Sequence, residues 1–183
     1  VGADFKTVVQ QIRERLTASS APIQLPIGAE DQFKGQIDLV EMNAKIYHSE
    51  DLGSTYEVLD IPADQKEEAA KARAELVEKV AEVDDALTEK FIQGDKISND
   101  ELKKALRRTI CGNKFVGILC GTAFKNKGVQ LMLDAVVDYL PSPLDIAPMP
   151  GHDPNTNEEI FRKHDPNEPL AALAFKIATD PFV

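Results

Sequence analysis

No apolar run in this 183-residue chain approaches the roughly 18 residues a membrane-spanning helix needs. The opening, Val1-Gly2-Ala3-Asp4-Phe5-Lys6, is neither the basic start of a signal peptide nor a transit peptide. Cysteine is scarce. Cys111 and Cys120 have no C-x-x-C spacing and no histidine nearby, so they read as reduced structural thiols rather than metal ligands or a redox pair. Positive charge is short too: 21 Lys and Arg against 31 Asp and Glu leave a formal net charge of −10. Nucleic-acid affinity draws mainly on clustered Lys and Arg, so direct nucleic-acid binding is not expected. A soluble, cytoplasmic, globular chain of one domain or two small ones is the expectation.

Sequence signals of phosphate chemistry are also missing. No G-x-x-x-x-G-K-[ST] is present, whose amides and Lys would cradle phosphates while its hydroxyl binds Mg²⁺. No Asp stands three residues before any Gly, and Asn113-Lys114 and Asn126-Lys127 each lack an Asp two places later. His48, His152 and His164 are far apart in polar contexts and read as surface histidines. Asp38, Asp60 and Asp64 form no paired-carboxylate pattern for acid–base work, and no nucleophile–base pair stands out. Met132 and Phe161 read as packing residues. No metal site and no catalytic residue is expected.

What is present begins abruptly. There is no initiator Met, and Asp4 caps a helical pattern, residues 4–16, with Phe5, Val8, Val9, Ile12 and Leu16 on one face, as though the chain were entered partway through a fold. Ser19-Ser20-Ala21-Pro22 then reads as a break. Four short β-like pieces follow at 23–27, 35–40, 44–47 and 56–59, most economically one small sheet.

Residues 63–91 read as one long helix closed by Gly94. Leu76, Val80, Val83, Leu87 and Phe91 recur at steps of three or four, and so do Glu75, Glu78, Glu82, Asp85 and Glu89 on the opposite side. One face would pack, and the other would be an acidic stripe. Ser98-Asn99-Asp100-Glu101 is a capping box for a further helix to about Cys111.

The run Phe115-Val116-Gly117-Ile118-Leu119-Cys120-Gly121 predicts a buried parallel strand, leaving its sheet through the polar loop 122–128. The helix after it, 129–139, is expected to bury Leu131, Leu133, Val136, Val137 and Leu140. That strand-loop-helix unit belongs to α/β nucleotide folds, whose ligands bind beyond the carboxyl ends of strands. Pro141-Ser142-Pro143, Pro148, Pro150-Gly151 and Asp153-Pro154-Asn155 mark a stiff connection. Residues 169–177 begin as a strand would, with no partner strand before Val183.

The stretch Gly121-Thr122-Ala123-Phe124-Lys125-Asn126-Lys127-Gly128-Val129-Gln130, continuing through Leu133 to Pro143, resembles bacterial-type elongation factor G where its GTPase domain ends. Gln24-Leu25-Pro26-Ile27-Gly28, Phe33-Lys34-Gly35 and Ile37-Asp38 resemble the start of that family's inserted subdomain, and 173–177 with Asp180-Pro181-Phe182 resemble the opening of its second domain, a β-barrel. These landmarks span nearly the whole chain in the family's order.

The resemblance implies an α/β chain made of part of a P-loop GTPase domain with an α+β inserted subdomain, followed by the start of a β-barrel. The implied boundaries are 1–16 for a GTPase-domain helix, 17–113 for the insertion and 114–140 for the terminal strand-loop-helix. Residues 141–168 would be a linker and 169–183 the barrel start. The base-reading Asn-Lys-x-Asp would lie upstream of Val1.

Of the family's five nucleotide motifs only the last falls here, Ser-Ala-x in the family and Thr122-Ala123-Phe124 in this chain. Backbone N–H groups in such a turn donate to the guanine carbonyl, and Ala permits close approach. The resemblance implies GTP or GDP with Mg²⁺ for the longer parent, and hydrolysis coupled to movement of tRNA and mRNA through the ribosome. A loop touching only the base neither positions nor neutralises phosphates, so this stretch alone is not expected to hydrolyse GTP.

Two sets of charges carry competing readings. Lys125 and Lys127 read as solvated loop charges. The acidic stripe Glu75, Glu78, Glu82, Asp85 and Glu89 reads on its own as the wet side of an amphipathic helix. The resemblance instead makes that stripe a contact for the C-terminal domain of the ribosomal stalk protein. A stand-alone binding module, a ribosome-protection protein and an organellar factor remain alternatives.

Overall fold

The computed structural model describes residues 2–16, 19–48, 53–172 and 176–177. They form a mixed α/β chain with three sheets and, among the described residues, no closed barrel. Two units divide it, 1–140 and 141–183. No helix among the described residues is long and apolar enough to cross a membrane.

In the first unit, helix α1 (Phe5–Arg15) starts where Asp4, with extended backbone, accepts the Lys6 N–H at 3.0 Å and the Thr7 hydroxyl at 2.7 Å. Strand β1 (Ser20–Pro22) follows and pairs in parallel with β6 (Val116–Ile118), Ala21 opposite Gly117. The helix ends before Ser19, as expected, and Ser20–Pro22 beyond the break form a strand that the sequence did not show. A proline is tolerated at its end because the ladder continues through Ile23, whose N–H donates to the Ile118 carbonyl at 2.8 Å.

Strands β2 (Gln24–Ile27), β3 (Gly35–Asp38), β4 (Asn43–Tyr47) and β5 (Tyr56–Leu59) form the small sheet expected over 23–59, antiparallel and in that order. Asp38 closes the β3–β4 turn: its Oδ1 accepts the N–H groups of Val40 and Glu41 at 2.9 and 3.0 Å, and its Oδ2 takes Lys45 Nζ at 2.7 Å.

Helices α2 (Lys66–Ala81), α3 (Asp85–Gln93) and α4 (Asn99–Cys111) complete the core. Leu76, Val80, Leu102, Ala105 and Leu106 are fully buried and cluster with Ile37, Leu39 and Ala44 of the sheet region. Each such leucine stabilises the fold by about 1.5–3 kcal/mol. Both halves of the Ser98 capping box form at the head of α4, as the sequence indicated.

The single helix expected over 63–91 is corrected to two. Val83 and Asp84 interrupt it, and Asp84 takes extended backbone angles to cap α3. Its carboxylate accepts the Leu87 N–H at 3.0 Å and is held by Arg108 from α4. The apolar spacing ran unbroken through this joint because each half keeps its own inward residues, Leu76 and Val80 on α2 and Leu87 on α3. Phe91 is exposed.

Helix α5 (Val129–Tyr139) also differs from expectation. Leu131 and Tyr139 are buried, whereas Leu133, Val136, Val137 and Leu140 are exposed. The helix packs on α4, where Arg107 Nη1 reaches the Asp138 carbonyl at 2.8 Å. An amphipathic period shows which face is apolar, but only a second element decides whether that face is covered.

The second unit holds a hairpin of β7 (Met149–His152) and β8 (Glu159–Arg162) inside the stretch expected as a plain linker. Asp153 makes its tip, accepting the Asn155 N–H on its carboxylate at 2.8 Å and the Asn157 N–H on its carbonyl at 2.8 Å. Of the strand expected at 169–177, residues 169–172 carry no regular structure and 173–175 lie outside the described residues.

Candidate functional site

Strand β6 runs out at Ile118, and the chain passes through Leu119 and Cys120 into a closed loop. Thr122 and Lys127 bridge its neck: the Thr122 N–H donates to the Lys127 carbonyl at 2.8 Å, and the Lys127 N–H returns to the Thr122 carbonyl at 3.1 Å. Inside, Ala123–Lys125 make one 3₁₀ turn, with Lys125 N–H to the Thr122 carbonyl and Asn126 N–H to the Ala123 carbonyl. Asn126 sits at φ 53°, a left-handed position that asparagine tolerates.

This bonding uses the N–H groups of residues 122, 125, 126 and 127 internally. The N–H groups of Ala123 and Phe124 have no protein acceptor among the described residues. Two adjacent donors beside a methyl side chain suit a planar ligand's carbonyl oxygen. Thr122, Ala123 and Phe124 therefore sit together at the end of a parallel strand, with the Phe124 ring fully in solvent.

A cleft of about 560 Å³ lies against this loop, lined by Cys120, Gly121, Thr122, Phe124 and Lys125 and, across from them, by Asp4, Phe5 and Val8 at the head of α1. That volume falls in the range of small-molecule sites, roughly 300–1,000 Å³. The sequence contains no G-x-x-x-x-G-K-[ST] motif. Among the described residues, no cluster of three or more His, Cys, Asp or Glu is arranged to hold a metal.

Of the loop's lysines, Lys125 is a surface charge and Lys127 is drawn further in. Lys125 Nζ pairs with Asp31 at 3.1 Å, and half-buried Lys127 donates to the Phe33 carbonyl at 3.4 Å. Burial pushes the Cys120 thiol up to about 12, which leaves it a poor nucleophile. His48 sits on the surface 3.4 Å from Glu57, and His152 and His164 are exposed.

The acidic residues occupy two helices rather than one stripe. Glu75, Glu78 and, at the α2 end, Glu82 belong to the first, and Asp85 and Glu89 to α3. Glu75 is held by Arg13 Nη2 of α1 at 2.6 Å, and Glu82 by Lys79 at 2.7 Å. Glu78 and Asp85 are exposed and make no ion pair among the described residues. The α1–α2 clasp that occupies Glu75, repeated by Lys6 and Glu68 at 2.7 Å, was not visible in the sequence.

No family model matches the chain. Its fold is similar to the crystal structure of a protein from Thermus thermophilus, with a TM-score of 0.69 and 24% sequence identity over 81% of this chain. At that identity the likeness shows the fold alone. The chain covers 22% of that protein's length.

Proposed function

We propose that the chain is a segment of a translational GTPase of the elongation factor G kind, a cytoplasmic factor that promotes ribosomal translocation of tRNA and mRNA. In this reading β6, the 121–128 loop and α5 are the last strand-loop-helix of a P-loop GTPase domain. The four-stranded sheet with α2 to α4 is its inserted subdomain, and the second unit leads to a β-barrel. The observation that carries the reading is the pair of unengaged N–H groups on Ala123 and Phe124 at the carboxyl end of a parallel strand. The order of the sequence landmarks and the fold likeness to a much longer protein support it.

The chain's own part in the chemistry is then limited to the base. Ala123 and Phe124 donate to the guanine carbonyl, Thr122 closes the loop neck, and the small Ala123 side chain lets the ring approach. Phosphate positioning and Mg²⁺ binding fall to residues outside this sequence. Glu78, Asp85 and Glu89, exposed and without an ion pair among the described residues, are the candidate contacts for a basic ribosomal stalk domain, through encounter rate and orientation.

The test is ribosome-stimulated GTP hydrolysis by the full-length gene product. Replacing Ala123 with Leu should raise KM for GTP about tenfold with little change in kcat, because it obstructs uniform binding of the base. A full-length product without ribosome-stimulated hydrolysis would overturn the proposal.

A further inference from the structure

We infer that Gln24 and Gln36 are positioning residues for the base-contact loop, so that the antiparallel sheet, and not only the strand that precedes the loop, sets its geometry. The inference rests on the reading of Ala123 and Phe124 as base donors.

The argument starts from the backbone of Cys120. The β6 ladder ends at Ile118, and buried peptide groups beyond it need partners. Cys120 finds both in side chains: its carbonyl accepts from Gln36 Nε2 at 2.8 Å, and its N–H faces Gln24 Oε1 at 3.5 Å. Because a carbonyl can only accept, the Gln36 amide must present its NH₂ there.

The two glutamines share one face of the sheet. Gln36 lies opposite Pro26, and Gln24 stands two residues before Pro26 on the same strand, so side-chain alternation puts both on that face. Gln24 is 5% exposed and Gln36 is 0% exposed. A primary amide buried without hydrogen bonds is costly, and an apolar residue would ordinarily fill such a place.

Gly128 shows that the geometry at Gln36 is tight. A Cβ on Gly128 would lie 2.2 Å from Gln36 Nε2 and 3.0 Å from the Cys120 carbonyl oxygen, and Gly128 has φ 89°. Glycine at this position leaves room for the Gln36 amide, which thereby touches both stems of the loop, Cys120 before it and Gly128 after it. Lys127, reaching the Phe33 carbonyl, ties the second stem to the segment just before β3. A base contact made through two backbone donors requires placement within about 0.5 Å, and this clamp supplies it.

The experiment compares GDP with 6-thio-GDP, in which a larger, weaker acceptor replaces O6, on the full-length gene product. Unmutated protein should prefer GDP by about tenfold, whereas Gln36→Met, which keeps shape and removes the donor, should reduce that preference to about threefold or less. The ratio of GDP to GMP affinity, which reports the phosphate side, should not move. In the 183-residue chain, amide exchange at 121–127 should quicken about tenfold in Gln36→Met. Gln24→Met should do both to a smaller extent.

Unchanged exchange and unchanged preference in folded Gln36→Met would overturn the inference. If the unmutated protein shows no preference for O6, the base-contact reading fails, and exchange alone still judges the clamp. Should the variants not fold, a nuclear Overhauser contact between the Gln36 amide protons and Gly128 Hα in the unmutated chain decides: its presence supports the clamp and its absence refutes it.

Discussion

Arg108 holds both carboxylate oxygens of Asp84, Nε to Oδ2 at 2.9 Å and Nη2 to Oδ1 at 2.8 Å. The same carboxylate caps α3 through the Leu87 N–H. One side chain thus ends the run that would otherwise be a single helix and fixes its second half against α4. Replacing Asp84 with Ala removes the cap and the fork together and should cost about 2–3 kcal/mol in urea unfolding. Asn at 84 retains the cap and should cost roughly half as much.

The pair also sets an acid response. Hydrogen bonds from Arg108 hold the Asp84 carboxyl below its ordinary 3.8, against the opposing effect of burial. A carboxyl lowered in the folded state stabilises fully above its unfolded value, and the contribution is lost as pH falls from about 4 through the lower folded value. Stability of the unmutated chain should therefore fall more steeply below about pH 4 than that of Asp84→Asn. Equal slopes in circular dichroism titrations would show that the fork carries no linkage.

Tyr47 gives the opposite window. Burial raises its phenol to about 12 from an ordinary 10, and its hydroxyl forms no well-made hydrogen bond among the described residues. An acid raised in the folded state stabilises below its unfolded value, so this contribution is present up to pH 10 and disappears between 10 and 12. Tyr47→Phe should be nearly neutral at pH 7 and should flatten the alkaline fall, as read from unfolding midpoints between pH 9 and about 11.

On the proposed reading the acidic helices predict an order of effects in the full-length gene product. Reversing Glu78 and Asp85 to Lys should slow association with a basic stalk domain about tenfold and weaken its salt dependence. Neutralising Glu75 should change the rate by less than about twofold, because Arg13 already occupies it. Stopped-flow association rates at two ionic strengths check this, and equal losses at Glu75 and Glu78 would contradict it.

Short-range signals in the sequence located much of the fold. Asp4 and Ser98 announced their helices because a cap acts within three residues, and β2 to β5 showed as bounded apolar and alternating runs. The Asp84 joint was hidden because Val80, Val83 and Leu87 keep helical spacing across it. Strand β1 was missed because three residues containing a proline carry no period, and only β6, some 96 residues later, makes them a strand. The loop 121–128 was marked by its glycines and by the apolar run before it. Its support was not, since Gln36 and Gln24 lie 84 and 96 residues from Cys120 in sequence.

The division of labour between base and phosphate is tested most directly by isothermal titration of the 183-residue chain with GTP and Mg²⁺. On the proposed reading the loop offers two donors to a base and nothing to three phosphates, so no saturable binding should be seen below about millimolar nucleotide and no hydrolysis should follow. Micromolar affinity, or release of phosphate by this chain alone, would contradict the account.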